Sequence, residues 1–507
     1  MIQDRWIIAL TFAVYFGIVF YIGWYAYRRT DDLSDFILGG RRLGSGVAAL
    51  SASASDMSGW LLLGLPGFAY ASGMQSIWLA GGLLLGTYFN WRIMAARLRR
   101  FSEAYGNALT LPEYFANRFQ DNRGLLRGIS AFFILLFFLI YTGSGLVAGG
   151  KLFETVFGLP YFWAVGAGAL TILLYTAFGG FLAVSWTDVI QGLLMAAALV
   201  AVPLVAFDQV GGMDKTLEVI AAGNPHLFNP FTNADGTAIG LIGILSLTAW
   251  GLGYFGQPHI LARFQAIKSV TAVSSARHIA VSWVTITLIG ASLTGFAGLV
   301  VIEQPLTGDA RETVFMELVN LLFHPIIAGI FLAAILAAIM STADSQLLVS
   351  SAAFTEDFYR SVVRRNASTR ELVIVGRIAV AVIALLAFAM ALDPDTLVLD
   401  LVSYAWAGFG AAFGPALILS LYWPQMTRRG ALAGIIVGGM TVVVWKQFEG
   451  GLFELYEIVP GFLLSWIAIY AASRMDPTPR EPLEQAFSDA LQYKTTVARP
   501  TRTGTAG

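Results

Sequence analysis

The 507-residue chain contains no cysteine. That absence excludes disulfide frameworks, thiolate metal sites and thiol nucleophiles together. Histidine is nearly as scarce: there are four, His226, His259, His278 and His324, and no two stand at metal-ligand spacing. Charge is thin as well, at 12% of residues, about half the roughly 25% of a soluble globular protein. The net charge of −1 leaves no basic stripe able to neutralise phosphates, so nucleic acid is not an expected partner. No cluster of nucleophile, base and orienting residue stands out, so an enzyme is not expected either. What the chain has in excess is apolar material, 57% hydrophobic and 13% aromatic. The class this implies is an all-α polytopic membrane protein.

A spanning helix needs about 20 mostly apolar residues. Reading on that length gives thirteen segments, approximately 6–27, 45–71, 74–94, 125–150, 160–180, 185–206, 237–262, 276–302, 322–347, 373–391, 396–422, 430–447 and 453–473. The first is too long, and lacks the small-residue cleavage site, for a signal peptide. With the N-terminus outside, 26 of the 31 Lys and Arg residues fall on the inner side, including Arg28, Arg29, Arg365, Arg499 and Arg502. Arg5, Lys151, Lys215, Arg311 and Lys446 fall outside. One missed span would scramble so lopsided a split, which supports the count and a cytoplasmic C-terminus. After 473 the chain turns polar, with Pro477, Pro479 and Pro482, and is expected to be a flexible tail.

Helices in lipid hide their backbone polar groups, so polar and glycine-rich breaks at membrane depth need a cause. The second span reads Ala49-Leu-Ser-Ala-Ser-Ala-Ser-Asp-Met-Ser-Gly-Trp60, with Asp56 near its middle. The seventh reads Trp250-Gly-Leu-Gly-Tyr-Phe-Gly-Gln-Pro-His259. They lie five spans apart and so run in opposite directions. Two inverted five-helix repeats, each opening on a broken helix, point to a secondary transporter with a midplane site. The resulting division is 1–44 (first span and inner loop), 45–206 (first repeat), 207–236 (external loop), 237–422 (second repeat), 423–473 (two peripheral spans) and 474–507 (tail). Gly251–Gly256 also fits G-x-G-x-x-G, but no strand precedes it, so the dinucleotide reading fails. The pairs Gly145/Gly149 and Gly410/Gly414 read as helix contacts.

A charge at mid-membrane costs at least about 2.5 kcal/mol, which makes Asp56 a functional candidate. Ser53, Ser55 and Ser58 surround it with hydroxyls, and an unwound backbone would free carbonyls. Hard oxygen donors of this kind suit a small hard cation. On the ninth span, Ser341 and Thr342 share a face with Ala338 at i+3 and i+4. They either complete such a shell or bond back to the preceding turn. On the seventh, Trp250, Tyr254 and Pro258 share a face at i, i+4 and i+8, as the wall of a small-solute pocket or as helix packing.

The runs Ser55–Trp60 (SDMSGW), Asn107–Tyr114 (NALTLPEY), Gly179–Asp188 (GGFLAVSWTD), Trp250–Phe264 (WGLGYFGQPHILARF), Ala334–Thr342 and Ser403–Pro415 (SYAWAGFGAAFGP) resemble the sodium/solute symporter family, and within it the proline branch. The resemblance extends from the first span to the thirteenth. It implies a leucine-transporter-type core of five-plus-five inverted repeats flanked by one span before and two after. It implies a symporter, not an enzyme, importing L-proline across a bacterial cytoplasmic membrane by alternating access. Na⁺ is the coupling ion, no cofactor is implied, membrane lipid surrounds the chain, and no obligate protein partner is evident. Another small solute is the alternative. Carried over by position, the sodium site is Ala54, Met57 and Ala338 through carbonyls with Ser341 and Thr342 through hydroxyls. Asp56 resembles the coupling acid and Arg41 the arginine of the inner mouth. Ser58, Trp60, Tyr141, Trp250, Tyr254 and Pro258 form the implied proline pocket.

Asp344 departs from the uncharged residue of that branch. It shares a helix face with Ser341 and Ser345 and a depth with Asp188 at the start of the sixth span. Asp188, Asp344 and Ser345 therefore form a possible second cation site, or else a pair of solvated acids near arginines.

Overall fold

Apolar runs in lipid have one low-energy solution within a single segment, the α-helix, because it bonds its backbone internally. The computed structural model describes residues 5–27, 33–176, 180–364 and 366–495. Arg28, Arg29, Arg365, Arg499 and Arg502, counted on the inner side, and Gly179 lie outside them. Among the described residues there is no strand, and each of the thirteen expected segments contains helix.

The first span is α1 (Arg5–Tyr27). The second is broken into α2 (Ser45–Met57) and α3 (Gly64–Ser72), joined by a 3₁₀ turn at Gly59–Leu61. The third, α4 (Ser76–Phe89), continues through a π turn at Asn90–Met94 into α5 (Ala95–Ala104). A short α6 (Leu111–Arg118) precedes α7 (Leu125–Phe157), α8 (Tyr161–Thr176) and α9 (Phe181–Val210). The seventh span is α10 (Leu241–Thr248), a 3₁₀ stretch Ala249–Gly256, and α11 (Pro258–Ala266). Next come α12 (Ala272–Val301) and α13 (Pro325–Ala352), prolonged by π-helix over Ala353–Val363. The last are α14 (Thr369–Met390), α15 (Val398–Tyr422), α16 (Arg428–Trp445), α17 (Ile458–Met475) and α18 (Glu481–Gln492).

Eight of these helices are long and apolar enough to cross a membrane unaided: α1, α7, α9, α12, α13, α15, α16 and α17. The core forms where α2 packs against α9, α11, α12 and α13, while α15 packs on α7 and on the 249–256 stretch. Large apolar residues left exposed, such as Leu10, Trp163, Leu385 and Ile467, lie on the spanning helices, as a lipid-facing surface requires.

Up to residue 495, the stretch after 473 corrects the expectation of a flexible tail. Helix α18 buries Leu483, Phe487 and Ala490, at i, i+4 and i+7 on one face. Phe487 stands edge-on to Phe101 at 5.2 Å, and Arg100 donates to the Leu491 carbonyl at 2.8 Å. Pro482 does not break the helix because it occupies the first turn, where no N–H bond is lost.

Candidate functional site

The second span breaks at Ser58, whose φ of +35° and ψ of −168° leave helical geometry. The tight approach to α7 there tolerates only glycine next: a Cβ on Gly59 would lie 2.8 Å from that of Ala148. The last carbonyls of α2 are thereby released from the helix ladder, and the partial negative charge at this helix end favours a cation. Ser341 on α13 donates to the Ala54 carbonyl at 2.9 Å and also to Ala338 at 3.1 Å. The back-bond expected of that hydroxyl is present, and the same hydroxyl also bridges to α2. Beside it, the Thr342 hydroxyl is buried without a hydrogen-bond partner among the described residues. Met57 is fully buried at the end of α2.

Asp56 is 2% exposed. Its Oδ2 accepts from the Tyr254 hydroxyl at 2.7 Å, and its carbonyl accepts from Tyr141 at 3.1 Å. Its Oδ1 has no partner among the described residues. The second and seventh spans thus meet through the expected coupling acid.

Why the seventh span is glycine-rich is visible in its neighbours. A Cβ on Gly253 would sit 1.9 Å from Trp406 Nε1, one on Gly256 2.1 Å from the Phe409 carbonyl, and one on Gly251 2.2 Å from that of Gly82. The backbone therefore lies directly against α15 and α4. Trp406 uses that closeness to donate to the Trp250 carbonyl at 2.7 Å. Gln257 caps the frayed end, donating to the Gly253 and Trp406 carbonyls at 3.2 Å each.

The same winding corrects the expected single face of Trp250, Tyr254 and Pro258. A 3₁₀ helix turns every 3.0 residues, so positions four apart diverge. Trp250 stacks on Tyr456 at 5.5 Å and tilts against Trp60 at 6.2 Å, while Tyr254 meets Trp406 edge-on at 5.0 Å. Pro258, beyond the extended Gln257, instead lines a small inner cavity with Ile134, Ala262 and Gln265. Trp60, Trp250, Tyr254 and Tyr141 are at most 6% exposed, so the aromatic wall is closed to water.

Asp188, Asp344 and Ser345 are buried to 1% exposure or less, so the acids are not solvated at a water boundary. The cation beside Asp188 and Ser345 is a guanidinium. Arg263 of α11 donates to Asp188 at 3.1 Å, to Ser345 at 2.5 Å and, through Nε, to Ser51 at 3.0 Å. Ser51 in turn donates to Asp188 at 2.6 Å. A second sodium there would have to share its oxygens with Arg263.

Arg41, expected at the inner mouth, donates to Asn107 at 2.9 Å, Ser102 at 3.0 Å, the Ala108 carbonyl at 2.8 Å and the Gln265 carbonyl at 2.7 Å. Burial, followed by the nearby Arg99, pulls its guanidinium down to about 10, so it stays charged at neutral pH. The adjoining motif residues cap α6: Thr110 accepts from the Glu113 N–H, and Glu113 accepts from the N–H of Leu109, one residue before the cap.

Sequence reasoning passed over Arg263, Gln257 and Trp406, although all three stand in the quoted runs. Their signal was a charge and a polar amide beyond the glycines, and an indole that needs a buried acceptor.

The chain is 51% identical over 488 residues, 95% of each chain, to the sodium/proline symporter of Escherichia coli. It is 48% identical over 490 residues, 95% of this chain and 97% of the relative, to an osmoregulated proline transporter of Bacillus subtilis. Among solved structures, a substrate-bound, outward-open Na⁺-coupled sialic acid symporter matches with a TM-score of 0.77 at 20% identity, covering 94% of this chain and 99% of that one. That likeness establishes the leucine-transporter-type fold with its two inverted five-helix repeats. The Sodium:solute symporter family pattern matches residues 36–438, and the chain belongs to that family.

Proposed function

We propose that this transporter imports L-proline, driven by sodium entering at the α2–α13 contact. The observation that carries the reading is the junction at Asp56. Its carboxylate is bound by Tyr254 of the solute wall, while two residues earlier the Ala54 carbonyl is bound by Ser341 of the cation helix. The two relatives named for proline span nearly the whole chain and support the choice of solute.

In this reading Ala54, Met57, Ala338, Ser341 and Thr342 hold the ion. Ser58, Trp60, Tyr141, Trp250 and Tyr254 surround the imino acid, and Pro258 starts the route beneath it. The Arg263 charge beside Asp188 favours a single coupling ion. The charge split of 26 to 5 supports thirteen crossings with the N-terminus outside, and the bacterial relatives support a bacterial cytoplasmic membrane. Entry of one Na⁺ down about 100 mV supplies about 2.3 kcal/mol. A tenfold gradient adds about 1.4 kcal/mol, so the solute could be concentrated a few hundredfold.

Labelled-proline uptake into proteoliposomes, with and without an inward sodium gradient, tests the reading. Sodium-dependent accumulation is expected; uptake that ignores the gradient would refute it.

A further inference from the structure

The polar chemistry of α13 does not stop at Thr342. Gln346, Ser350 and, in the π-helical extension, Asp357 follow it away from the cation site. All four are at most 3% exposed. Each carries an atom with no hydrogen-bond partner among the described residues: Thr342 Oγ1, Gln346 Nε2, Ser350 Oγ and Asp357 Oδ2. Buried polar atoms are nearly always bonded, so four such atoms in succession need an account. Back-bonding to the helix is not it. Ser345 and Thr355 on the same element do bond back, to the Ser341 carbonyl at 2.9 Å and the Ser351 carbonyl at 2.7 Å. Thr342 and Ser350 do not.

Thr342, Gln346 and Ser350 are spaced by four and share a face. Helix α7 packs along α13 and its extension and adds oxygens from its own side. Thr142 meets Gln346 Oε1 at 3.3 Å, and the buried Ser130 hydroxyl is likewise unpartnered among the described residues. Exchange of the two ends of the Gln346 amide would keep the Thr142 contact and turn the carbonyl oxygen to the unpartnered side. At the far end, Asp357 Oδ1 accepts from Thr110 at 3.1 Å and lies 3.9 Å from Arg127 Nε. Arg127 has a second partner in Glu113 at 2.9 Å, so it can yield Asp357 without losing all its pairing. Just beyond opens a polar basin of about 1010 Å³ lined by Glu113, Arg127, Glu356, Arg360 and Ser361.

We propose that this face of α13 is the lane by which the co-transported cation leaves toward the cytoplasm, with the Asp357 carboxylate as its last station. The inference rests on the reading of the protein as a sodium-coupled symporter. Hydroxyl, amide and carboxylate oxygens are the ligands a small monovalent cation exchanges readily. Thr342, Gln346 and Ser350 stand about 6 Å apart, four residues of helix rise each, and let it move by successive partial ligand exchange before a longer step to Asp357, seven residues on. The lane is separate from the Arg263–Asp188 pair, which lies on the α9 and α11 side of the same helix.

The test compares the sodium dependence of proline uptake in right-side-out and inside-out membrane vesicles, which read the outer and cytoplasmic faces respectively. Asp357→Asn keeps an acceptor for Thr110 but removes the charge. It should raise half-saturating sodium about tenfold on the cytoplasmic face and less than twofold on the outer face. Ser350→Ala should shift the cytoplasmic value in the same direction, about threefold. An equal change on both faces, or none on either, overturns the proposal. Should Asp357→Asn fail to insert, Ser350→Cys decides in a chain that has no other cysteine. A small cationic thiol reagent applied from the cytoplasmic side should label it, at least threefold more slowly in sodium than in potassium. No labelling, or labelling indifferent to sodium, overturns the lane. Wild-type vesicles without sodium-driven proline uptake would instead refute the symport reading itself.

Discussion

Tyr254→Phe removes one oxygen and almost no volume. In a solute pocket its hydroxyl would be expected to bond the substrate, and the variant would weaken proline binding. The geometry assigns it elsewhere: the hydroxyl donates to Asp56 Oδ2 at 2.7 Å, and the other carboxylate oxygen has no partner among the described residues. A hydrogen bond to a charged group contributes about 1.5–3 kcal/mol, and the buried partner left behind bears the loss. Taking the lower end, half-saturating sodium should rise about tenfold. Proline affinity at saturating sodium should move less than threefold. Labelled-proline uptake into proteoliposomes at stepped sodium concentrations separates the two.

Asp56→Asn completes a double-mutant cycle. If both residues act through the one bond, the double variant should be little worse than Asp56→Asn alone, with a coupling energy near 1.5 kcal/mol. A fall in proline affinity with sodium dependence unchanged would show that the hydroxyl serves the substrate. Additive losses would show that the bond carries no coupling.

Four further outcomes follow from packing and charge. Gly253→Ala places a methyl against the Trp406 indole and must break its bond to Trp250; a destabilisation of about 1–3 kcal/mol should appear as a lowered Tm in detergent with transport largely lost. Gly145→Ala, whose nearest neighbour would be 3.7 Å away, should be silent in both assays. Asp188→Asn strands the buried Arg263 charge and should cost about 3–5 kcal/mol, seen as poor yield of monodisperse protein, whereas Asp188→Asn with Arg263→Gln should recover most of it. Phe487→Ala should loosen α18 from Phe101, so limited proteolysis should cleave within 481–495 faster than in the wild type.

How far the sequence disclosed this molecule depends on what kind of signal each part leaves. Helix positions were legible because lipid permits one backbone solution within a segment, and the two breaks were legible because polar and glycine-rich stretches are unusual at that depth. The placement of Ser341 near Ala54 was anticipated from spacing and the family motifs. Three features were not. The face carrying Trp250 and Tyr254 was misjudged because periodicity assumes 3.6 residues per turn, and only the contacts of Gly253 and Gly256 with α15 impose the tighter winding. Arg263 reads as one more inner-side positive charge, since nothing local says that α11 carries it against Asp188. The tail helix was hidden by three prolines that precede it or open it.

These particulars bear on why ion and solute should move together. A coupling free energy requires one element whose position both ligands bias. The end of α2 meets that requirement within two residues: the Ala54 carbonyl faces Ser341, and the Asp56 carboxylate faces Tyr254. One turn earlier on the same helix, Ser51 is held by Arg263 and bonds Asp188. An ion that draws the α2 carbonyls toward α13 must also shift Asp56 against the aromatic wall and strain the Arg263 network below. Because that network is fully buried, it cannot exchange its partners for water, and its state changes only when α2, α9, α11 and α13 move apart together. Coupling then needs no relay between distant sites. In the proposed reading it follows from placing the Ala54 carbonyl, the Asp56 carboxylate and the Ser51 hydroxyl, which meets the Arg263–Asp188 pair, within the last two turns of α2 before its break.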